Sequence, residues 1–173
     1  IMKLKRLVEQ HFHGAYGVDF NTAEANDVRD LAREIYKEGV GYIFPTLVTD
    51  SVENIKRQIS VIKAAAKKQT SDMAKIAGVH LEGIFLNPEK KGIHNSDYFL
   101  SPTVENYKLV EDEFIKIVTL APELLQNNPL PFGDGSNLIA YLRERNIKVQ
   151  AGHCVGGDLT GCDGTTHTFN AMS

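Results

Sequence analysis

The sequence predicts an α/β fold built as a partial (β/α)8 TIM-type barrel with about five or six β/α units. Apolar helical stripes alternate with short runs of strand-forming residues, the order expected of parallel βα repeats. The chain has 173 residues, fewer than the roughly 250 that usually close eight strands. None of the six histidines lies on a predicted helix. Most stand at or just beyond the C-terminal end of a predicted strand, the rim where such barrels gather their chemistry.

Each element has its own signal. Leu7–Phe12 reads as the first strand. Val28, Leu31, Ala32 and Ile35 follow at i, i+3, i+4 and i+7, one face of a helix, with Asn21 and Glu24 offering a cap and Gly39 a stop. Tyr42–Val48 is the second strand, and Val52, Ile55, Ile59 and Ile62 make a second stripe opened by Asp50 or Ser51. Ile76–Leu81 is the third strand. Gly83 to Ser101 is a long polar loop with little periodicity, and loops of that length in compact domains are commonly functional or disordered. Ser101-Pro102 starts a third helix with Pro at its first position. Phe114–Leu120 is a strand, and Ser136 or Asn137 opens a fourth helix through Leu138 and Leu142 to Arg145. Lys148–Ala151 and a short Thr165–Phe169 complete the strands. Residues 1–173 are expected to form one incomplete barrel domain, part of something longer. Its open sheet edges call for missing chain or a partner.

A net charge of −3 gives no electrostatic reason to expect nucleic acid or an anionic membrane as partner. Lys67-Lys68 and Lys90-Lys91 read as solvated faces. No apolar run approaches the ~20 residues of a membrane span, and the start is too short in its apolar part for a secretory signal. Cys154 and Cys162 cannot build a disulfide framework, so a reduced, cytoplasmic setting is expected. No P-loop, dinucleotide fingerprint or Gly-x-Ser-x-Gly elbow occurs.

The polar chemistry collects at strand ends. His11 and His13 close the first strand two residues apart, so their side chains point the same way and could share a metal. Glu82 ends the third strand and could offer a carboxylate to one ion or bridge two. His80 shares its face but reads as a packed, hydrogen-bonded neighbour. His153 ends a later strand, and His167 lies within Thr165–Phe169. Taken singly, each of these is more often a solvated or structurally satisfied side chain. Four such groups from four strands at one rim instead fit imidazoles plus a carboxylate around zinc, iron or a similar divalent ion. Such an ion polarises a carbonyl and acidifies water, which suits amide hydrolysis. Cys154 faces away as a packing residue, and Cys162 carries no signal.

Longer motifs share the order of a known family. His11-Phe12-His13-Gly14 with Gly17-Val18-Asp19-Phe20, then Phe44-Pro45-Thr46-Leu47-Val48-Thr49, then Gly78-Val79-His80-Leu81-Glu82-Gly83-Ile84-Phe85-Leu86-Asn87-Pro88 run in series. Lys90-Lys91-Gly92-Ile93-His94, Val118-Thr119-Leu120-Ala121-Pro122-Glu123, Gly152-His153 and Thr166-His167-Thr168-Phe169-Asn170-Ala171-Met172 follow. The series resembles the N-acetylglucosamine-6-phosphate deacetylase family of metal-dependent amidohydrolase barrels. By that resemblance Glu82, His153 and His167 hold the main metal, with His11 and His13 resembling the two-metal variant. His94 contacts the acetyl carbonyl and stabilises the tetrahedral intermediate, and Asn170 and Ala171 lie near the sugar phosphate. The implied reaction takes N-acetylglucosamine 6-phosphate to glucosamine 6-phosphate and acetate, in a homodimer or an assembly that supplies the missing half-barrel.

The sequence also departs from the family pattern. Ile84 replaces the usual Pro and Thr168 the usual Leu. The stretch from His153 to His167 is shortened, with Gly-rich Val155–Gly164 in place of a helix. Nothing matches the family's general-base Asp, its later phosphate-binding Arg and His, or its small β-domain. The chain alone is therefore expected to be nearly inactive. The alternative is a catalytically dead or split fragment that binds sugar phosphate or a partner subunit. A dihydroorotase-type activity is disfavoured by Glu82 standing where a metal-bridging Lys would be.

Overall fold

The computed structural model describes residues 5–126, 137–156 and 159–172. Strand β1 (Leu7–Phe12) leads into a small hairpin of β2 (Gly14–Ala15) and β3 (Val18–Asp19), then α1 (Ala25–Lys37), β4 (Val40–Leu47) and α2 (Val52–Lys67). Next come β5 (Lys75–Ile76), β6 (Val79–Glu82), α3 (Val104–Lys108), β7 (Ile115–Leu120), α4 (Glu123–Gln126), α5 (Leu138–Glu144), β8 (Lys148–Ala151) and β9 (Gly164–Thr165). The main sheet runs β1-β4-β6-β7-β8-β9, with β5 paired to β4. Every pairing in it is parallel. Strands that neighbour each other in both sequence and space, with helical crossovers, give a curled half-barrel rather than a doubly wound sheet.

Helix α1 buries the four residues of its predicted stripe, and α2 buries Ile55, Ile59, Ile62 and Ala65. They pack on Ile43, Leu47, Val79, Leu81, Val118, Leu120 and Val149 of the sheet. Each such side chain contributes about 1.5–3 kcal/mol by leaving water. No helix among the described residues is long and apolar enough to cross a membrane.

Several boundaries differ from the sequence reading. The N-cap of α1 is Glu24, in a reciprocal box with Asp27. Asn21 instead clamps the chain after β4, accepting from Val48 N at 3.0 Å and donating to Val48 O at 3.2 Å. Ser51 caps α2, accepting from Asn54 N at 3.2 Å. Helix α3 starts after Ser101-Pro102, capped by Thr103. Asn137 caps α5; Ser136 lies outside the described residues. The third predicted strand is broken into β5 and β6. The 83–101 segment is not uniformly polar, because Ile84, Phe85 and Leu86 are buried. The last strand stops at Thr165, and His167, Phe169 and Ala171 take left-handed backbone angles that no strand accommodates.

Candidate metal centre

Alternation along β6 sends Leu81 to the helices and His80 and Glu82 to the inner face. Glu82 is 1% exposed and sits among imidazoles from four other segments. His167 Nε2 lies 2.9 Å and His153 Nε2 3.2 Å from Glu82 Oε1, and the two nitrogens are 3.1 Å apart. On the other oxygen, His13 Nε2 lies 3.0 Å and His94 Nε2 3.8 Å from Oε2. His11 Nε2 is 3.8 Å from Oε1. The structure thus brings together His11, His13, Glu82, His94, His153 and His167. The Asn170 carbonyl meets His167 Nδ1, and Ala171 follows it in the chain.

Two local devices set this geometry. After Glu82 the chain turns at Gly83, φ +149, where a Cβ would meet Thr49 Oγ1 at 2.4 Å; no other residue fits. His153 and His167 hold φ values of +50 and +32. Such angles cost a non-glycine residue about 1–3 kcal/mol and concentrate at functional sites.

The second ring nitrogens decide which way the protons face. His13 Nδ1 meets Thr46 O at 3.2 Å, His153 Nδ1 meets Lys90 O at 2.7 Å and His167 Nδ1 meets Asn170 O at 3.1 Å. A carbonyl only accepts, so in each ring Nδ1 carries a hydrogen; in the neutral ring Nε2 then turns a lone pair inward, and in the protonated ring it donates to Glu82. His94 is the opposite case. Its Nδ1 accepts from Thr49 N–H at 3.2 Å, so in the neutral ring Nε2 carries the proton and points inward as a donor. His11 Nδ1 is buried without a partner.

Electrostatics follow this arrangement. Burial would raise the Glu82 pKa, but the adjoining His13 and His153 imidazoles, and then His11, hold it far below the usual carboxylate range. Burial lowers His13 and His153 less than Glu82 raises them, so both end above their ordinary value. Burial takes His94 down to about 4 and His80 to about 4, leaving both neutral, and lowers His11.

Known proteins resemble this chain in sequence and in fold. No family model matches the chain. It is 29% identical to N-acetylglucosamine-6-phosphate deacetylase of Bacillus subtilis, over 98% of this chain and 44% of that protein. It is 33% identical to the Bos taurus protein of the same name, over 95% of this chain and 42% of that one. This chain resembles N-acetylglucosamine-6-phosphate deacetylases along nearly its whole length. An N-acetylgalactosamine-6-phosphate deacetylase of Escherichia coli O157:H7 is 29% identical over 96% of the chain. The solved N-acetylglucosamine-6-phosphate deacetylase of Thermotoga maritima superposes with a TM-score of 0.78 at 25% identity, over 96% of this chain and 44% of that one. The chain therefore spans less than half the length of the relatives it matches.

The residues fit a divalent cation on their own evidence. Three imidazole lone pairs converge with an ionised carboxylate, and two of the nitrogens are 3.1 Å apart. Glu82 Oε2 is buried with no hydrogen bond of acceptable geometry. His11, His13 and Glu82 form one compact donor set, and Glu82, His94 and His153 another. Because His94 turns its N–H inward, His167 completes the second set better than His94 does.

Sequence reasoning missed the orienting carbonyls of Thr46, Lys90 and Asn170, which carry no side-chain signal. It also missed Thr119 and Thr166, buried beneath the donors. Thr119 had a readable mark, a hydroxyl inside the otherwise apolar Ile117–Leu120.

Proposed function

We propose that this chain carries the metal-binding and carbonyl-binding part of an N-acetylhexosamine-6-phosphate deacetylase. Glu82, His153 and His167 would hold the principal ion, and His11 and His13 with Glu82 a second position. Nitrogen donors with one carboxylate suit zinc or iron. When bound, such an ion supplies Lewis acidity toward a carbonyl oxygen and acidifies water. The observation that carries the reading is the opposed proton placement around Glu82. Three rings offer lone pairs, while His94 offers an N–H where an acetamide oxygen gains charge. A fixed donor aimed at that oxygen stabilises the tetrahedral state more than the planar amide. Asn170 and Ala171, at the rim past His167, would face the sugar phosphate. A relative acting on the galacto epimer leaves the configuration at C4 open, so the substrate class is the N-acetylated hexosamine 6-phosphates.

No residue of this stretch matches the general-base Asp that the resemblance calls for. This chain by itself is expected to release acetate some 10²–10⁴-fold more slowly than a complete enzyme. A cytoplasmic setting, and barrel closure by further strands from this chain or another, belong to the same proposal. The test loads the chain with zinc or cobalt, counts bound ions, and follows acetate release from both epimers. His153→Ala should lose metal. His94→Gln should keep it and lose the residual turnover. Metal loss in His94→Gln with none in His153→Ala would overturn the reading. Tight binding of the sugar phosphate with no acetate released would favour a binding module instead.

A further inference from the structure

Under the donor cluster lies a second polar assembly that the proposed chemistry does not use. His80 Nδ1 meets Gln10 O at 2.8 Å, and His80 Nε2 meets Thr119 Oγ1 at 2.7 Å. Thr119 Oγ1 meets Thr166 Oγ1 at 2.7 Å, and Thr166 Oγ1 lies 2.7 Å from Gln150 Oε1, to which it donates as the amide is oriented here. His80, Thr119 and Thr166 are 0%, 0% and 2% exposed. The four contacts cross β1, β6, β7, the segment after β9, and β8. Two members of the assembly border donors, since Gln10 precedes His11 and Thr166 precedes His167. The His80 ring also lies 5.2 Å from that of His11.

We propose that His80, Thr119, Thr166 and Gln150 form a directional hydrogen-bonded relay that positions the metal donors His11 and His167 from below. This rests on reading the cluster above as a metal centre.

Proton counting fixes the direction. The Gln10 carbonyl only accepts, so His80 Nδ1 is the N–H and Nε2 of the neutral ring must accept from Thr119. The Thr119 hydrogen is then spent, so Thr166 donates to Thr119. The Thr166 hydrogen is spent in turn, so Gln150 must donate to Thr166. A half-turn of the Gln150 amide puts Nε2 at that contact, and amide orientation is set by the network in this way. Every hydroxyl then gives one hydrogen and accepts one, as buried polar groups require. Close approach is built in as well. A Cβ on Gly152 would stand 2.8 Å from Thr119 Cγ2 and 3.1 Å from Thr166 Cβ, so a larger residue would wedge the two threonines apart next to His153. The Thr46 and Lys90 carbonyls hold the rings of His13 and His153 directly, whereas the relay acts on His11 and His167 through the residues before them, Gln10 and Thr166. His11, whose own Nδ1 has no partner, depends on it most.

The test compares Thr119→Val, which keeps the shape and removes the hydroxyl, with Thr119→Ser, which keeps the hydroxyl. Cobalt is titrated into the metal-free chain, read by visible absorption and by chelator competition, with circular dichroism reporting the fold. Thr119→Val should weaken cobalt binding roughly 10–100-fold, the range for outer partners of metal ligands, and shift the absorption band. Thr119→Ser should bind like the parent. Gln150→Glu at neutral pH replaces the first donor by an acceptor without touching a metal donor. It should weaken binding in the same sense, and it carries the test if Thr119→Val fails to fold. A folded Thr119→Val or Gln150→Glu with the parent's affinity and band overturns the relay and leaves the metal centre standing. An equal loss in Thr119→Ser and Thr119→Val assigns the effect to packing and also overturns it. A parent chain that takes up no cobalt overturns both readings.

Discussion

Leu81 and Glu82 are consecutive on β6, 0% and 1% exposed, and face opposite sides of one sheet. On the helix side, removing water is the source of stability, and Leu81 packs into a continuous apolar layer. On the inner side, removing water is a cost that only partners offset, and Glu82 is ringed by imidazoles that donate to it when protonated or share a cation with it when neutral. Equal burial therefore has opposite meanings two faces apart. Stability resides mainly in the layer between sheet and helices, and chemistry in the row of polar side chains at the strand ends.

Substituting the two neighbours gives the widest separation. Glu82→Gln keeps the shape and removes the charge shared by both donor sets. Metal affinity should fall well beyond the ~10–100-fold typical of outer partners, while the metal-free chain keeps cooperative thermal unfolding. Isothermal titration with zinc and a melting curve check both halves. Leu81→Ala should show the reverse, losing about 2–5 kcal/mol of stability in denaturant melts while the folded fraction binds the same number of ions. If Glu82→Gln fails to fold, or folded Leu81→Ala loses metal, the two faces are not separable.

The same contrast explains what was legible in the sequence. The helix side is periodic, so Val28, Leu31, Ala32 and Ile35 could be named from spacing alone and are the residues α1 buries. The inner face is a set of single residues many positions apart. His11, Glu82 and His153 could be suspected because each ends a strand, yet only the order of strands brings them together. Proton direction was out of reach. It depends on the Lys90 and Asn170 carbonyls and the Thr49 N–H, and every residue type has the same backbone groups. The segment after β9 misled for a related reason. Thr165–Phe169 has strand-like composition, but His167 reaches Glu82 only through a left-handed turn.

A smaller effect is expected where the helix layer meets the rim. Ser51 caps α2 through Asn54 N–H, and Ser51→Ala should cost about 1 kcal/mol in chemical denaturation with metal affinity unchanged. A change in metal affinity there would mean that the α2 terminus, close to Thr49 and hence His94, transmits to the inner face.

The smallest effect concerns the far edge of the sheet. Asp163 Oδ2 accepts from Val149 N–H at 3.0 Å and Oδ1 from Lys148 Nζ at 3.0 Å, so one carboxylate ties the approach to β9 onto β8. The Val149 N–H, then Lys148, hold its pKa below the ordinary carboxylate value of 3.8. A folded pKa below the unfolded one gives stability that is fully present above the unfolded value and lost as pH falls through the folded value. Asp163→Asn keeps the shape but removes the charge and one of the two acceptors, so only one of the two donors keeps its hydrogen bond, a difference of about 1 kcal/mol or more at neutral pH. Melts at decreasing pH should show the gap between parent and variant holding to about pH 4, then narrowing until the two coincide. Cobalt affinity should be equal in both at neutral pH, because the carboxylate lies on the sheet edge away from the donors. A gap that persists in acid would show that the shape of the side chain, and not its charge, holds this edge. Altered cobalt binding would show that the β8–β9 seam reaches the rim through Thr166, the one residue of the relay that also bonds back to the β8 backbone, at Ala151 O.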